Sequence, residues 1–108
     1  MRRYLPLRRA GDFERLRRSG RRVATPTVTV YRAAGRPGDT STLVGIAAGK
    51  ELGSAVLRNR ARRRVRAVLD RALTGDERLR VLVIVRPAAV SAPFARLERD
   101  LQEGLRAP

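Results

Sequence analysis

Cysteine and histidine are both missing from this chain of 108 residues. Their absence removes a disulfide framework, thiolate and imidazole metal ligands, and cysteine or histidine as a catalytic nucleophile or general base. Tryptophan is missing too, and Tyr4, Phe13, Tyr31 and Phe94 are the only aromatic residues. Stacking surfaces of the kind that hold single-stranded nucleic acid are therefore scarce. No apolar run approaches the roughly 20 residues that span a bilayer, and the arginine-rich start lacks the apolar stretch of a secretory signal. A soluble, unexported, cytoplasmic protein with no membrane partner is expected. No Walker-type or dinucleotide-binding glycine pattern occurs, so a nucleotide-dependent enzyme has no support.

What the chain has in excess is positive charge, +15 net with a pI near 11.9. That balance points to a polyanionic partner. Residues 1 to 69 hold 18 basic and 4 acidic side chains, whereas residues 70 to 108 hold 7 and 6. The binding surface is thus expected in the first two thirds. A hydrophobic content of 43% is enough for a globular core, and the length fits one domain over residues 1–108.

Residues 1–7 read as a loose basic arm, with Pro6 opposing a helix there. Asp12 is placed to cap a short helix through Arg18, ended by a left-handed Gly20, with Phe13 and Leu16 on one face. Residues 22 to 32 and 42 to 48 read as short strands of an antiparallel meander, joined by the turn-rich Ala34 to Asp39 segment. A long helix follows from Ser54 to about Leu73. In it Leu57, Ala61, Val65, Val68 and Ala72 fall within an arc of roughly 80 degrees. Leu79 to Val85 is nearly continuous in apolar side chains, as in a central strand covered on both faces and parallel to a neighbour. Ser91 to Leu105 closes the core as an amphipathic helix, with Phe94, Leu97, Leu101 and Leu105 inward and Arg96, Glu98, Arg99, Asp100 and Glu103 outward.

The long helix contains six arginines in nine residues, Arg58 to Arg66, and no acid lies between Glu51 and Asp70. A solvated helical face normally mixes signs in i,i+4 pairs, so unpartnered arginines of this density favour a nucleic-acid contact. Asn59 adds a donor and an acceptor for a phosphate, ribose or base edge. No helix-turn-helix, zinc-finger or zipper pattern accompanies the helix, which favours structured RNA over DNA. Three functions fit at this point: a noncatalytic ribozyme subunit, a small ribosomal protein or RNA chaperone, and a metal-dependent nuclease built on Asp76, Glu77 or Asp100.

The run from Val44 to Ile46 and Lys50 to Arg66, with Arg58-Asn59-Arg60 at its centre, closely resembles the bacterial ribonuclease P protein component. The likeness extends to Gly11 through Leu16, Gly20, Val28 through Tyr31 and the strand ending at Arg86, and so covers nearly the whole chain. The resemblance implies an α/β sandwich of two layers, with a left-handed crossover through the arginine-rich helix. It implies a holoenzyme that removes the 5′ leader of precursor tRNA with magnesium held mainly by the catalytic RNA subunit, and neither a protein metal site nor a required protein partner. Lys50, Arg58, Asn59, Arg60, Arg62, Arg63 and Arg66 would face that RNA. Phe13, Leu16, Arg17, Val28, Val30 and Tyr31 would form the leader cleft. Arg17 stands where the family commonly has a second aromatic, and Gly49 and Glu51 stand where it commonly has serine and a basic residue.

Overall fold

The aliphatic run Leu79–Val85 forms β5, the middle strand of a five-stranded mixed sheet in a computed structural model that describes residues 3–106. The other strands are β1 (Leu5–Pro6), β2 (Arg21–Ala24), β3 (Val28–Ala34) and β4 (Leu43–Ala47), in the order β1-β4-β5-β3-β2. The most apolar strand gains most from the centre, where both faces and both edges are covered. It pairs antiparallel with β3, Val30 opposite Val83, and parallel with β4, Ile46 opposite Val83. This corrects the expected meander. β2 and β3 make a hairpin, but β5 inserts between β3 and β4, so the strand at 43–47 does not return beside its predecessor.

The start of the chain is also more ordered than a loose arm. β1 pairs parallel with β4, the Leu5 N–H donates to Thr42 O at 2.9 Å and the Leu7 N–H to Val44 O at 3.0 Å, and Tyr4 and Leu7 are buried. Apolar side chains on either side of Pro6 anchor it, and a proline without an N–H suits an edge strand. Residues 1 and 2 of the expected arm lie outside the described residues.

Three helices cover the sheet: α1 (Ala10–Ser19), α2 (Ala55–Ala72) and α3 (Phe94–Arg106). α1 begins three residues earlier than a cap at Asp12 would allow. Arg9 occupies the N-cap position without a side-chain bond, and Asp12 lies in the first turn, where its charge complements the helix dipole. Gly20 is not left-handed; its φ is −73°. Glycine is required there because a Cβ would lie 2.5 Å from the Leu16 carbonyl oxygen. Ser54 caps α2 by accepting from the Leu57 N–H at 3.4 Å. α3 starts at Phe94, after Pro93 and a 3-10 turn over Pro87–Val90, rather than at Ser91.

The main core lies between one sheet face and α2 with α3: Val28, Val30, Val44, Val81, Val83 and Val85 meet Ala61, Val65, Val68, Leu69, Leu97 and Leu101. On the other face a smaller cluster of Leu7, Leu16 and Leu82 lies beneath α1, ringed by half-buried Phe13, Tyr31, Leu43, Ala47 and Ile84. Gly104 lets α3 approach β3, since a Cβ there would lie 2.6 Å from Val30 Cβ.

Asp100 does not face solvent. It is 2% exposed, and its Oδ2 accepts from the Thr27 hydroxyl at 2.6 Å and the Thr27 N–H at 3.3 Å. Four residues before the buried Gly104 it sits about 40 degrees from it around the helix, on the edge of the packed stripe. It therefore latches α3 to the turn between β2 and β3. Asp100→Ala strands two buried donors and is expected to lower stability by about 2–3 kcal/mol; urea denaturation reads this as a lower midpoint. Glu77 has a comparable role after α2, accepting from the Thr74 and Gly75 N–H groups at 2.9 Å each. Burial pushes its carboxyl up, but these hydrogen bonds and one with the Thr74 side chain outweigh it and leave it below the ordinary 4.5. A depressed folded value means a contribution that is complete above that pH and is lost as pH falls through the folded value. Glu77→Gln should therefore lower the melting temperature slightly at neutral pH and change it little in acid, so that its fall with pH is flatter.

Candidate nucleic-acid interface

Because α2 buries Ala61, Val65, Val68 and Leu69, the arginines at other positions of its helical wheel are turned away from the core. Asn59, Arg60, Arg63 and Arg66 are exposed, and Arg58 and Arg62 are half-buried. Among the described residues the ion pairs are Arg71 with Glu98, Arg80 with Asp39 and Arg96 with Asp100. None of these involves the cations predicted to bind RNA. Asn59 is already committed, since its Oδ1 accepts from an Arg62 N–H at 3.2 Å and so orders that guanidinium within the array. Lys50 is exposed on a short 3-10 turn, Lys50–Leu52, just before α2.

Arg64 behaves differently from its neighbours. Its guanidinium donates to the Ala89 carbonyl at 2.6 Å, the Val90 carbonyl at 3.2 Å and the Ala92 carbonyl, pinning the turn before α3 to the side of α2. One of the six arginines thus holds the fold together. Nothing local in the sequence marks it, because its acceptors lie 25 to 28 residues away.

The face of the sheet under α1 is organised in rows set by strand register. Tyr31, Leu82 and Gly45 are paired across β3, β5 and β4, and Phe13 lies against Gly45 so closely that a Cβ there would be 2.8 Å from the ring. Thr29, Ile84 and Ala47 form the next row on one side, and Ala33, Arg80 and Leu43 the next row on the other. Phe13 and Tyr31 therefore share this face with one strand between them, and exposed Arg17, one helical turn beyond Phe13, shares the same side of α1.

Three expected cleft residues are not available there. Val28 and Val30 are 0% exposed and point to the opposite face, beneath α3, because neighbouring strand positions alternate and Tyr31 takes the α1 side. Leu16 is on the right side but fully buried between α1 and the sheet. Ala47 and Ile84, half-buried on the α1 face, occupy places that the sequence reading overlooked.

A cavity of about 210 Å³ joins the two regions; Phe13, Leu7 and Gly45 line one side and Arg66 of α2 another. It opens where β1 stops, since that strand covers only Leu43 and Val44 of β4. An aromatic ring and a guanidinium thus border the same recess at an uncovered strand edge. Among the described residues no group of three or more acidic, cysteine or histidine side chains could hold a metal ion, and no helix is long and apolar enough to cross a membrane. Asp100 and Glu77, two of the carboxylates considered for a nuclease, are engaged in structural hydrogen bonds.

A mixed α/β sheet with a helical arginine array, residues 58–66, free of acidic partners defines a basic nucleic-acid-binding protein. The comparison with known proteins makes that class specific: the family model for ribonuclease P matches residues 1–107. The ribonuclease P protein component of Acidothermus cellulolyticus is 39% identical over 95 residues, covering 87% of this chain and 79% of its own. That of Chloroflexus aggregans is 39% identical over 110 residues, covering 98% and 78%. Among solved structures, a Staphylococcus aureus RNase P protein mutant with defective mRNA degradation activity superposes with a TM-score of 0.80 at 27% identity, covering 94% of this chain and 85% of that one. The Thermotoga maritima RNase P protein, at 21% identity and a TM-score of 0.76 over 95% and 97%, shares the fold. The chain belongs to the ribonuclease P protein component family, and is a subunit of the RNase P endoribonuclease holoenzyme that processes the leader of precursor tRNA.

Arg64→Ala separates the two kinds of arginine in α2. It removes charge-assisted bonds to three carbonyls and is expected to cost about 1.5–3 kcal/mol of stability, seen as a lower melting temperature. Among single alanine replacements of the arginines at 58 to 66 it should give the largest fall.

Proposed function

We propose that Lys50, Arg58, Asn59, Arg60, Arg62, Arg63 and Arg66 dock this protein on the catalytic RNA subunit, and that Phe13, Arg17 and Tyr31 receive the single-stranded 5′ leader of precursor tRNA. The observation that carries this reading is an arginine array with no acidic partner whose last member, Arg66, shares a recess with Phe13. Guanidinium groups suit phosphate because their N–H donors match its oxygens in pairs, and a cation array screens the repulsion between two RNAs brought together. Leu16 beneath α1 supports the cleft, while Val28 and Val30 hold β3 to α3 from the far side. Arg17 offers guanidinium stacking or a phosphate contact on the leader.

Magnesium is assigned to the RNA subunit. Among the described residues the acidic side chains do not form a fitting donor set, and several are engaged by arginine or backbone N–H groups. The protein's part is to hold both RNAs in place at reduced repulsion, in the cytoplasm where precursor tRNA is processed, without a further protein subunit.

Reconstitution is the direct test. Adding the chain to a cognate ribonuclease P RNA and a precursor tRNA at low magnesium is expected to raise correctly placed 5′ cleavage; no increase would count against the assignment. The Arg60→Ala/Arg62→Ala variant should bind the RNA subunit more weakly, with a log–log salt slope lower by about 2, and should melt like the parent protein. Unchanged affinity would place these side chains outside the interface.

A further inference from the structure

On the other flank of α1 from the Thr29, Ile84 and Ala47 row, a cavity of about 330 Å³ opens above the row of Leu43 and Arg80. Arg8, Arg9 and Arg15 border it from the start of α1, and Arg36 from the turn between β3 and β4. Its base is rigid. Arg80, 9% exposed, bonds to Asp39 at 2.8 Å and donates to the Ser41 carbonyl at 2.8 Å, while Asp39 also accepts from the Arg36 N–H at 2.5 Å. The Gly35 N–H donates to the Arg78 carbonyl at 2.9 Å, so the turn is tied to β5 at both ends.

Arg80 and Asp39 satisfy each other, which leaves four guanidinium groups facing one further carboxylate, Asp12. Arg15 donates to the Ala34 carbonyl at 3.3 Å, yet its Nε is buried with no hydrogen-bond partner. Like charges gathered around a concave surface repel unless an anion joins them, and a buried cationic donor without an acceptor is costly. From this geometry we infer that the cavity is a second phosphate site, which takes a phosphodiester group of RNA between Arg8, Arg15 and Arg36. The site is separate from the arginine face of α2 and lies across α1 from the Thr29, Ile84 and Ala47 row. The phosphodiester belongs either to the RNA subunit or to a stretch of leader that has passed beyond the cleft.

The test uses Arg8→Ala/Arg36→Ala, two exposed positions whose side chains make no described contact within the protein. The comparison is Arg99→Ala/Arg106→Ala, which removes the same charge from the exposed side of α3. Salt-dependent binding is measured first to the cognate RNA subunit alone, then by each holoenzyme to precursor tRNAs with short and long leaders; melting temperatures check folding. Loss of the one neutralised phosphate is expected to lower the log–log slope by about 0.7–0.9 in one arm only. A change toward the RNA subunit assigns the phosphate to that RNA, and a change confined to long leaders assigns it to the substrate. Slopes unchanged in both arms, or lowered equally by the α3 variant, would overturn the proposal.

Discussion

Everything in this structure depends on the aliphatic stripe of α2 being buried against the sheet. The same eighteen-residue helix carries Ala61, Val65, Val68 and Leu69 inward and an array of guanidinium groups outward. Arginines spaced three and four apart repel one another by about 0.2–0.5 kcal/mol per pair. Full burial of one valine or leucine contributes about 1.5–3 kcal/mol. Packing therefore outweighs the repulsion, and the helix is held with the guanidinium groups of Arg58 to Arg66 unsatisfied by any acid. That unsatisfied state is what a polyanion relieves.

The second consequence concerns the two sheet faces. α2 and α3 close one face completely, while α1, only ten residues long, covers the middle of the other. What remains on either side of α1 differs in character. One flank, beyond Phe13 and Tyr31, shows half-buried apolar groups suited to bases; the other shows arginines around a pinned turn. A chain with almost no aromatic residues can thus still present both a stacking element and several phosphate contacts, because topology gathers them from four separate segments.

Much of this was legible in the sequence. The period of α2, its serine cap, the continuous apolar run of β5 and the arginine register all depend on local spacing, and the structure has them where spacing put them. Other features depend on distant partners. The neighbour of β4, the carbonyls that hold Arg64 and the Thr27 that buries Asp100 lie far along the chain, so no local pattern announces them. Val28 and Val30 fall outside the cleft for a different reason. Val28, Val30 and Tyr31 cannot share a face of one strand, and alternation alone would have separated them; which face stays open is decided by where the helices pack.

The central claim is that α2 meets RNA through about five guanidinium–phosphate contacts while its other side holds the core. The most direct measurement is the affinity of the intact protein for its cognate RNA subunit across a range of monovalent salt. A log–log slope of about −4 to −5 is expected. A slope near zero would contradict it, since binding would then not depend on the charges that α2 leaves unpaired.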